Sequence, residues 1–346
     1  MQRYEHGGNI YGNDGVTLDF SVNTNPLGMP ESVKRAVVEQ LPAYARYPDP
    51  HCRKLRAALA AHQGIKNHDM VLCGNGAAEL IFALCACTKP RKALVLSPTF
   101  SEYERAAKLF GCAVLEHRLL ASEDFVLTER ILEQLNPEID VLFLCNPNNP
   151  SGRLGDPLLL NQIAITCYKN GTLLLLDECF IEFTRGQSML PKLGHYPNLL
   201  ILQAFTKIYA MAGLRLGTLY CSDTQLLARI GAFCPTWNVS AVSQAAGIAA
   251  LQETGWIEKT RRTVEDQRGF LSKALQQCGL HVYPGEANFL LMESKIHLYQ
   301  PLKSQGILTR CCANFNGLNE YYIRIGIKKE IENQALVRAI AGITND

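Results

Sequence analysis

The chain has 346 residues, of which 47% are hydrophobic and 19% are charged, and its formal net charge is +2. This length suffices for one large core or two unequal domains, and the composition is that of a compact soluble protein. Such a balanced charge argues against nucleic acid or a membrane surface as a partner. The N-terminus lacks the apolar core of a signal peptide, and the apolar runs are too short to span a bilayer, so we expect a cytoplasmic protein.

The thirteen cysteines are many for a cytoplasmic protein. Cys85 and Cys87 are separated by one residue, and Cys311 and Cys312 are adjacent, so no C-x-x-C pair exists. No histidine cluster accompanies them, and a metal site is therefore not indicated. We expect most of them to be small buried hydrophobic residues in a reducing compartment. A redox or metal-binding role is the alternative.

The first 25 residues are rich in glycine and asparagine and predict irregular backbone, neither helix nor regular strand. A histidine, His6, precedes two glycines, and Asn23 and Asn25 flank a threonine. Two interpretations stay open for this segment. It is either a loose N-terminal arm or a set of donors for an anionic ligand.

Strands alternate with helices between residues 70 and 221, which indicates an α/β fold with a mostly parallel, seven-stranded sheet. The predicted strands are 70–73, 93–97, 113–116, 140–145, 172–176, 199–203 and 217–221. The predicted helices are 31–41, 55–62, 80–87 and 157–170, and another begins near Pro98. In such sheets ligands collect at the carboxyl ends of the strands.

The pattern changes near Thr236. A mainly helical stretch, 240–277, is followed by short strands and helices that predict a smaller α+β domain. The predicted strands are 281–283, 288–292, 307–309 and 321–326, and the predicted helices are 298–305 and 329–343. We therefore divide the chain into an N-terminal arm (1–25), a large domain (26–235) and a small domain (236–346).

Polar residues follow several predicted strands of the large domain. Gly74-Asn-Gly76 lies between a strand and a helix, a geometry that aims backbone N–H groups at a phosphate. Asp177 ends an apolar strand, Lys207 follows the next one, and Arg215 comes eight positions later. Each residue alone is more often structural. Together they suit pyridoxal 5′-phosphate (PLP), which needs a lysine amine, a carboxylate for its ring nitrogen and donors for its phosphate.

This cofactor hypothesis assigns a contact to each polar group. Lys207 would bond the aldehyde, and desolvation and the nearby Arg215 would lower its pKa. Asp177 would pair with the pyridinium nitrogen. The other predicted cofactor contacts are the phosphate donors Gly76, Ala77, Thr206 and Arg215 and the donor to the ring's 3′-oxygen, Asn149. Tyr103, in the first turns of its helix, is either a core residue or a ring that stacks on the cofactor.

Two arginines occupy successive C-terminal strands. Arg324 lies within an otherwise apolar strand, and Arg310 lies near the preceding one. A buried guanidinium requires an anion. The anion is either a substrate carboxylate, held by the guanidinium fork, or a carboxylate of the protein itself.

These residues resemble those of the fold-type I PLP-dependent enzymes, the aspartate-aminotransferase superfamily, over nearly the whole chain. Within it, the chain resembles the branch of histidinol-phosphate aminotransferases and, more closely, of threonine-phosphate decarboxylases of cobalamin biosynthesis. The matching segments are 6–9, 23–30, 46–49, 74–76, 142–150, 177–183, 206–217, 283–285, 287–288 and 310–314. The motifs of the superfamily are specific, and those of the decarboxylases are moderately so.

The resemblance implies a fold, an assembly and further contacts. It implies a homodimer with shared active sites, in which Tyr47 reaches the cofactor phosphate of the neighbouring subunit. Tyr103 would stack on the ring, and Arg324 would bind the substrate carboxylate. The substrate phosphate would be held by His6, Asn25 and Arg310. No metal is implied.

Three positions depart from the pattern of aminotransferases. Phe180 stands where they usually carry a tyrosine, and the decarboxylase branch shares this phenylalanine. Ala77 and Ala204 replace polar residues that usually help to bind the cofactor phosphate, which predicts weaker cofactor binding or another donor.

The resemblance therefore implies decarboxylation of L-threonine O-3-phosphate to (R)-1-amino-2-propanol O-2-phosphate, the linker of the cobamide nucleotide loop. L-serine O-phosphate, which would give ethanolamine phosphate, is the alternative substrate. A histidinol-phosphate aminotransferase is the alternative enzyme. A ligand-sensing domain without catalysis is disfavoured, because Lys207, Asp177 and Arg215 are all present.

Overall fold

The computed structural model describes residues 6–11 and 15–345 of the chain. The strands are β1 (Leu18–Asp19), β2 (Val71–Gly74), β3 (Lys92–Ser97), β4 (Ala113–Arg118), β5 (Val141–Cys145), β6 (Leu173–Asp177), β7 (Leu199–Ala204), β8 (Gly217–Tyr220), β9 (His281–Val282), β10 (Phe289–Glu293), β11 (Ile307–Leu308), β12 (Arg310–Cys311) and β13 (Tyr322–Gly326). The α-helices are α1 (Glu31–Glu39), α2 (Arg53–His62), α3 (Ala77–Thr88), α4 (Glu102–Leu109), α5 (Arg130–Gln134), α6 (Pro157–Asn170), α7 (Phe205–Ile208), α8 (Thr224–Gly231), α9 (Ala241–Leu251), α10 (Trp256–Gln277), α11 (Tyr299–Ser304) and α12 (Glu330–Asn345).

The largest sheet has seven strands in the order β2-β8-β7-β6-β5-β3-β4. Strand β8 runs antiparallel to both of its neighbours, and the other pairs are parallel, which confirms the predicted α/β fold. Its central strands are continuous apolar runs because both faces of the sheet are covered. Leu142 and Leu144 of β5 face one hydrophobic core, and Phe143 between them faces the other.

The register of the sheet brings the carboxyl ends of its central strands together. Cys145, the last residue of β5, pairs with Asp177, the last residue of β6, and Asp177 pairs with Leu202 of β7. In the outermost strand pair of the sheet, Gly74, the last residue of β2, pairs with Gly217, the first residue of β8. The Gly74-Asn-Gly76 turn, Asp177 and the segment after β7 therefore lie at one edge, as the parallel pattern predicted.

A second, antiparallel sheet has the order β12-β13-β10-β9. All its strands come from residues 281–326, whereas the strands of the large sheet come from residues 71–220. The domain boundaries at 25/26 and 235/236 stay a prediction. In this small sheet Arg310 of β12 is opposite Arg324 of β13, so the two arginines are neighbours across a strand pair.

The prediction that the first 25 residues contain no strand is wrong. Leu18–Asp19 forms a short parallel pair with Ile307–Leu308. The partner lies at the other end of the chain, so no local pattern could indicate the pairing. The short helices α5 and α8 were also not predicted. The helical stretch 240–277 is two helices, and Gly255, with φ of +73°, lies between them.

Several expectations from composition are met by the described residues. No helix among them combines the length and apolar character that crossing a membrane requires. Each of the thirteen cysteines is a free thiol, and eight are buried, as small hydrophobic residues would be.

Replacing Asp156 with alanine is expected to lower the free energy of unfolding by about 1 kcal/mol. Its carboxylate accepts hydrogen bonds from the Leu158 and Leu159 amides and so caps the N-terminus of α6. The matched control is Asp266→Ala, at an exposed position within α10, where a change within about 0.5 kcal/mol is expected. Urea denaturation measures both, and equal losses in the two variants would contradict the capping role.

Candidate active site

A cavity of about 430 Å³ opens at the carboxyl edge of the large sheet. Ten of the predicted site residues line it: His6, Ala77, Tyr103, Asn149, Asp177, Thr206, Lys207, Arg215, Arg310 and Arg324. The structure therefore brings together residues from the N-terminal arm, the large sheet and the small sheet. Five cationic side chains line the cavity (Arg105, Lys207, Arg215, Arg310 and Arg324) against two carboxylates, Glu102 and Asp177. This excess of positive charge favours anionic ligands.

One end of the cavity is formed by the N-terminus of α3. The helix begins at Ala77, three residues earlier than predicted, directly after Gly76. Gly76 has φ of +82°, and a Cβ built on it would lie 2.5 Å from Arg215 Nη2. Glycine suits this turn because the positive φ is unfavourable for other residues, and an added Cβ would also displace the end of the Arg215 side chain. The free amides of the first helical turn, together with Arg215 and the buried Thr206 beside them in the lining, form a phosphate-sized set of donors.

Asp177 presents a buried carboxylate to the middle of the cavity. Its Oδ2 accepts a 2.5 Å hydrogen bond from the Tyr103 hydroxyl, and its Oδ1 accepts from the Cys179 amide at 2.9 Å. Burial raises the pKa of the Asp177 carboxyl, and the hydrogen bonds from Cys179 and Tyr103 oppose that shift. Among the described residues no cation forms an ion pair with it. A protonated ring nitrogen would be a suitable partner.

Tyr103 is buried against the core, as well as facing the cavity. Its ring stacks on Phe143, with centroids 5.6 Å apart, and meets Phe100 edge-on. The hydrogen bond to Asp177 had no signal in the sequence, because the two residues are 74 positions apart. The stacking of Tyr103 on a cofactor ring stays a prediction.

Lys207 lies in the single-turn helix α7 that follows β7. Its amine pKa is lowered to about 8, mainly by burial and next by the positive charge of Arg324. The direction agrees with the prediction from sequence. Arg215 lowers the pKa as predicted, but Arg324, which was not predicted to act on Lys207, has the larger effect. A lysine with this pKa is partly neutral near neutral pH and is therefore able to act as a nucleophile or a base.

Arg324 is a buried guanidinium that has no ion pair among the described residues. It donates to Asn149 Oδ1 and to the Ser21 carbonyl, while its Nε has no partner. Burial lowers the pKa of Arg324 to about 10. The alternative of an internal salt bridge is thus contradicted for the described chain, and an anionic ligand would compensate the charge. Because Asn149 Oδ1 accepts from Arg324, its amide N–H₂ remains available to the cavity.

Arg310 and His6 lie on different segments that both border the cavity. The guanidinium of Arg310 lies over the Phe315 ring at 5.0 Å and donates to the Cys311 carbonyl and to Asn314 Oδ1. His6 Nε2 is 2.7 Å from Glu102 Oε1. These contacts hold both side chains in fixed positions.

The prediction that Asn25 contacts the substrate is wrong. Its side chain donates to the Ile208 carbonyl and to Thr260 Oγ1, and it accepts from the Leu27 amide. Asn25 therefore supports the backbone beside α7. Asn23 lines the cavity in its place, and its buried Oδ1 has no partner. In irregular backbone the sequence does not indicate which of two nearby asparagines faces a site.

Tyr47 lies away from the cavity of its own chain. Its side chain is 79% exposed and stacks on Trp237, with ring centroids 4.4 Å apart. Its contact with a neighbouring subunit stays a prediction.

Several residues of the lining were not predicted as contacts. Cys145 and Cys179 flank Asp177 at the strand ends, and Glu102 precedes Tyr103 on α4. Their positions next to predicted residues were the available signal. Phe180 also lines the cavity and meets Phe289 edge-on at 5.0 Å, and Ala204 adds a side chain without a donor.

The chain is similar to known proteins in both sequence and fold. The model of the family described as aminotransferase class I and II matches residues 16–340. The threonine-phosphate decarboxylase of Salmonella typhimurium is 40% identical, over 98% of this chain and 96% of that protein. The crystal structure of the histidinol-phosphate aminotransferase from Clostridium acetobutylicum has a TM-score of 0.89 at 30% identity, covering 95% of this chain and 99% of that one. The L-threonine-O-3-phosphate decarboxylase from Porphyromonas gingivalis has the same fold, with a TM-score of 0.84 at 24% identity, covering 95% and 100%.

Proposed function

Because the chain belongs to the aminotransferase class I and II family, whose enzymes depend on PLP, we propose that it is a PLP-dependent decarboxylase of a phosphorylated amino acid. Its substrate would be L-threonine O-3-phosphate, and its product (R)-1-amino-2-propanol O-2-phosphate, for the cobamide nucleotide loop. The observation that carries this proposal is the pair of buried arginines, Arg310 and Arg324, opposite each other on β12 and β13. One guanidinium suits the carboxylate of an amino acid, and the second suits a phosphate.

The residues of the cavity fit PLP. The close approach of Gly76 to Arg215 and the free amides of α3 fit its phosphate, and the buried Asp177 fits its ring nitrogen. The residues that would hold it are Gly76, Ala77, Thr206 and Arg215 at the phosphate, Asp177 at the nitrogen, Asn149 at the 3′-oxygen and Lys207 at the aldehyde, with Tyr103 against the ring. When bound, PLP supplies an electron-accepting ring for the electron pair that the departing CO₂ leaves on the substrate Cα.

The chain's own residues would direct the bond cleavage. Arg324 would hold the substrate carboxylate with its two-pronged guanidinium and so fix the orientation of the bond from Cα to the carboxylate. That bond would then break with loss of CO₂. The Lys207 amine, whose pKa is about 8, would return a proton to Cα.

The other end of the substrate would be its phosphate. Arg310 and His6, both in the cavity lining, are the proposed donors. Asn23 is proposed in place of Asn25, because Asn23 lines the cavity and its Oδ1 has no partner among the described residues. An amide can donate or accept according to its orientation.

A homodimer is part of the proposal. The exposed stack of Tyr47 and Trp237 is an apolar surface feature of the kind that subunit interfaces bury. Tyr47 would contact the cofactor phosphate of the neighbouring subunit.

The test of this function is CO₂ release from PLP-loaded protein. L-threonine O-3-phosphate, L-serine O-phosphate and unphosphorylated L-threonine are offered separately, without an oxo acid. We expect release from the phosphorylated amino acids and little from L-threonine, because two of the proposed donors would lack their ligand. The two phosphorylated substrates differ by one methyl group, which is worth about 1–3 kcal/mol of discrimination. No release from either would overturn the proposal.

A histidinol-phosphate aminotransferase is the second candidate. The TM-score of 0.89 with the aminotransferase from Clostridium acetobutylicum favours it. Consumption of histidinol phosphate that depends on 2-oxoglutarate would support it. Phe180 argues against it, because a phenylalanine cannot donate the hydrogen bond that a tyrosine provides in aminotransferases.

Replacing Gly76 with alanine is expected to weaken PLP binding about ten-fold or more. The added methyl would lie 2.5 Å from Arg215 Nη2, and φ of +82° is unfavourable for alanine. The matched control is Gly64→Ala, where φ is +66° but no atom lies within 4 Å of the new methyl. Gly64→Ala should lower the free energy of unfolding without changing the dissociation constant for PLP. Titration of PLP into cofactor-free protein measures the dissociation constants. Equal constants for the two variants would contradict the role of the Gly76 turn in binding the cofactor phosphate.

A further inference from the structure

Glu102 is a buried carboxylate in the cavity wall that has no task in the proposed reaction. It is the first residue of α4 and is 5% exposed. A buried carboxylate requires partners. It has two, since Arg105 Nη1 donates to Oε2 at 2.9 Å and His6 Nε2 lies 2.7 Å from Oε1. Arg105 alone would balance its charge, so the contact with His6 is additional.

The contact joins the N-terminal arm to the large sheet. The His6 ring also lies against Phe100, with centroids 5.6 Å apart. Two residues further on, the Gly8 amide donates to Ser21 Oγ at 2.7 Å. The arm passes so close to this segment that a Cβ on Gly7 would lie 2.1 Å from the Ser21 carbonyl oxygen. The first residues of the arm are therefore held at two points, by the Glu102 carboxylate and by Ser21, which lies further along the arm itself.

The second attachment connects the arm to the carboxylate-binding arginine. The Ser21 carbonyl accepts from Arg324 Nη2 at 2.8 Å. The arm thus contacts α4 through His6 and β13 through the Ser21 carbonyl, and His6 and Ser21 both line the cavity.

The Glu102 carboxylate also determines which atoms of His6 face a ligand. Burial acts to raise the pKa of the Glu102 carboxyl, but the hydrogen bond and charge of His6 and the charge of Arg105 keep that pKa below its usual value. An anionic carboxylate accepts from the Nε2–H group, so Nδ1 is the nitrogen left for the cavity. Nδ1 can therefore contact a phosphate group of the ligand.

We propose that Glu102 is a positioning residue whose carboxylate holds the His6 imidazole, and with it the N-terminal arm, over the part of the cavity that binds the substrate's phosphate. The inference rests on the proposed function for the identity of that substrate. It concerns neither cofactor binding nor bond cleavage. The role of Glu102 is therefore confined to the affinity for the phosphate group.

The experiment compares Glu102→Gln with His6→Ala and with the double variant, all loaded with PLP. Glutamine keeps the size of the side chain and removes its charge. We expect the KM for L-threonine O-3-phosphate to rise about ten-fold in each single variant, with kcat within about two-fold of the parent. The double variant should show no further rise, because both substitutions break one contact. Glu104→Gln is the matched control, since Glu104 lies on the same helix and pairs with Lys108.

A second measurement separates this inference from the proposed function. Binding of inorganic phosphate to the PLP-loaded proteins is followed by calorimetry, which needs no turnover. The dissociation constant should rise about ten-fold in Glu102→Gln and in His6→Ala and stay unchanged in Glu104→Gln. Unchanged phosphate affinity in Glu102→Gln would overturn the inference, and so would a fall in kcat at constant KM. A KM in the double variant that rises by the product of the two single-variant increases would also overturn the inference. Absence of decarboxylation with weakened phosphate binding would overturn the proposed function alone.

Discussion

Replacing Lys207 with alanine is expected to reduce decarboxylation by roughly 10³-fold or more. The amine has a pKa of about 8 and lies in the cavity beside Arg324 and Asp177. It would bond the cofactor and later return a proton to the substrate Cα, and alanine can do neither. CO₂ release is measured with saturating L-threonine O-3-phosphate and added PLP. Lys192→Ala, at an exposed lysine, is the control. Full turnover in the Lys207 variant would disprove the assignment.

The same substitution predicts a pH dependence of stability in the cofactor-free protein. The Lys207 pKa falls from 10.5 to about 8 on folding, so the unfolded chain binds the extra proton more tightly between these values. The contribution of Lys207 to stability therefore becomes less unfavourable as the pH rises from about 8 to 10.5. Well below pH 8 the amine is protonated in both states, and its burial is then most costly. We expect Lys207→Ala to gain stability relative to the parent at pH 7 and to lose this gain by pH 10.5. Urea denaturation across this pH range measures the free energy of unfolding of both proteins. A difference between them that does not change with pH would contradict the lowered pKa.

Replacing Arg324 with lysine is expected to lower kcat/KM about 10²-fold. Lysine retains the charge but loses the planar fork, and it cannot keep the hydrogen bonds to Asn149 and to the Ser21 carbonyl together with a carboxylate. The buried guanidinium has no ion pair among residues 6–11 and 15–345, so the substrate carboxylate would be its compensating anion. Steady-state kinetics with L-threonine O-3-phosphate measures the loss. Arg338→Lys, at an exposed position of α12, is the matched control.

A ligand without a carboxylate distinguishes the binding role of Arg324 from a structural one. (R)-1-amino-2-propanol O-2-phosphate, the proposed product, retains the amine and the phosphate. Its inhibition constant should change less than about three-fold in Arg324→Lys, because the lost contact is absent from this ligand. If inhibition weakens as much as substrate turnover, Arg324 acts by supporting Asn149 and the segment of Ser21, and the carboxylate assignment is wrong.

The centre of the site was predictable from the sequence because its signals are local. Asp177 and Lys207 each follow an apolar strand, and Gly76 opens a helix, so short patterns place them at the carboxyl edge of a parallel sheet. The position of Lys207 after an apolar strand also allowed the direction of its pKa shift to be predicted. The effect of Arg324 on that pKa was not predictable, because Arg324 lies 117 positions away in the chain and meets Lys207 only in the cavity.

The periphery of the site was less predictable. The arm was interpreted as irregular, yet it contains β1, whose partner strand lies near the other end of the chain. Asn25 was chosen over Asn23, although their spacing and type are alike. The contact between His6 and Glu102 joins residues 96 positions apart. None of these features has a local pattern, since each depends on a segment that folds against the site from elsewhere.

By itself the sequence determined the family and the α/β sheet, and it predicted most of the polar residues that line the cavity at the carboxyl edge of that sheet. Strand periodicity and short motifs act within a few residues, so they are readable without the fold. The tertiary structure alone decided which polar side chains face the cavity and which support the backbone. It placed Arg310 opposite Arg324, left Arg324 without an ion pair among the described residues and set Glu102 against His6. The physical reason is that side-chain direction and burial of charge depend on contacts between distant segments, which form only when the whole chain is packed.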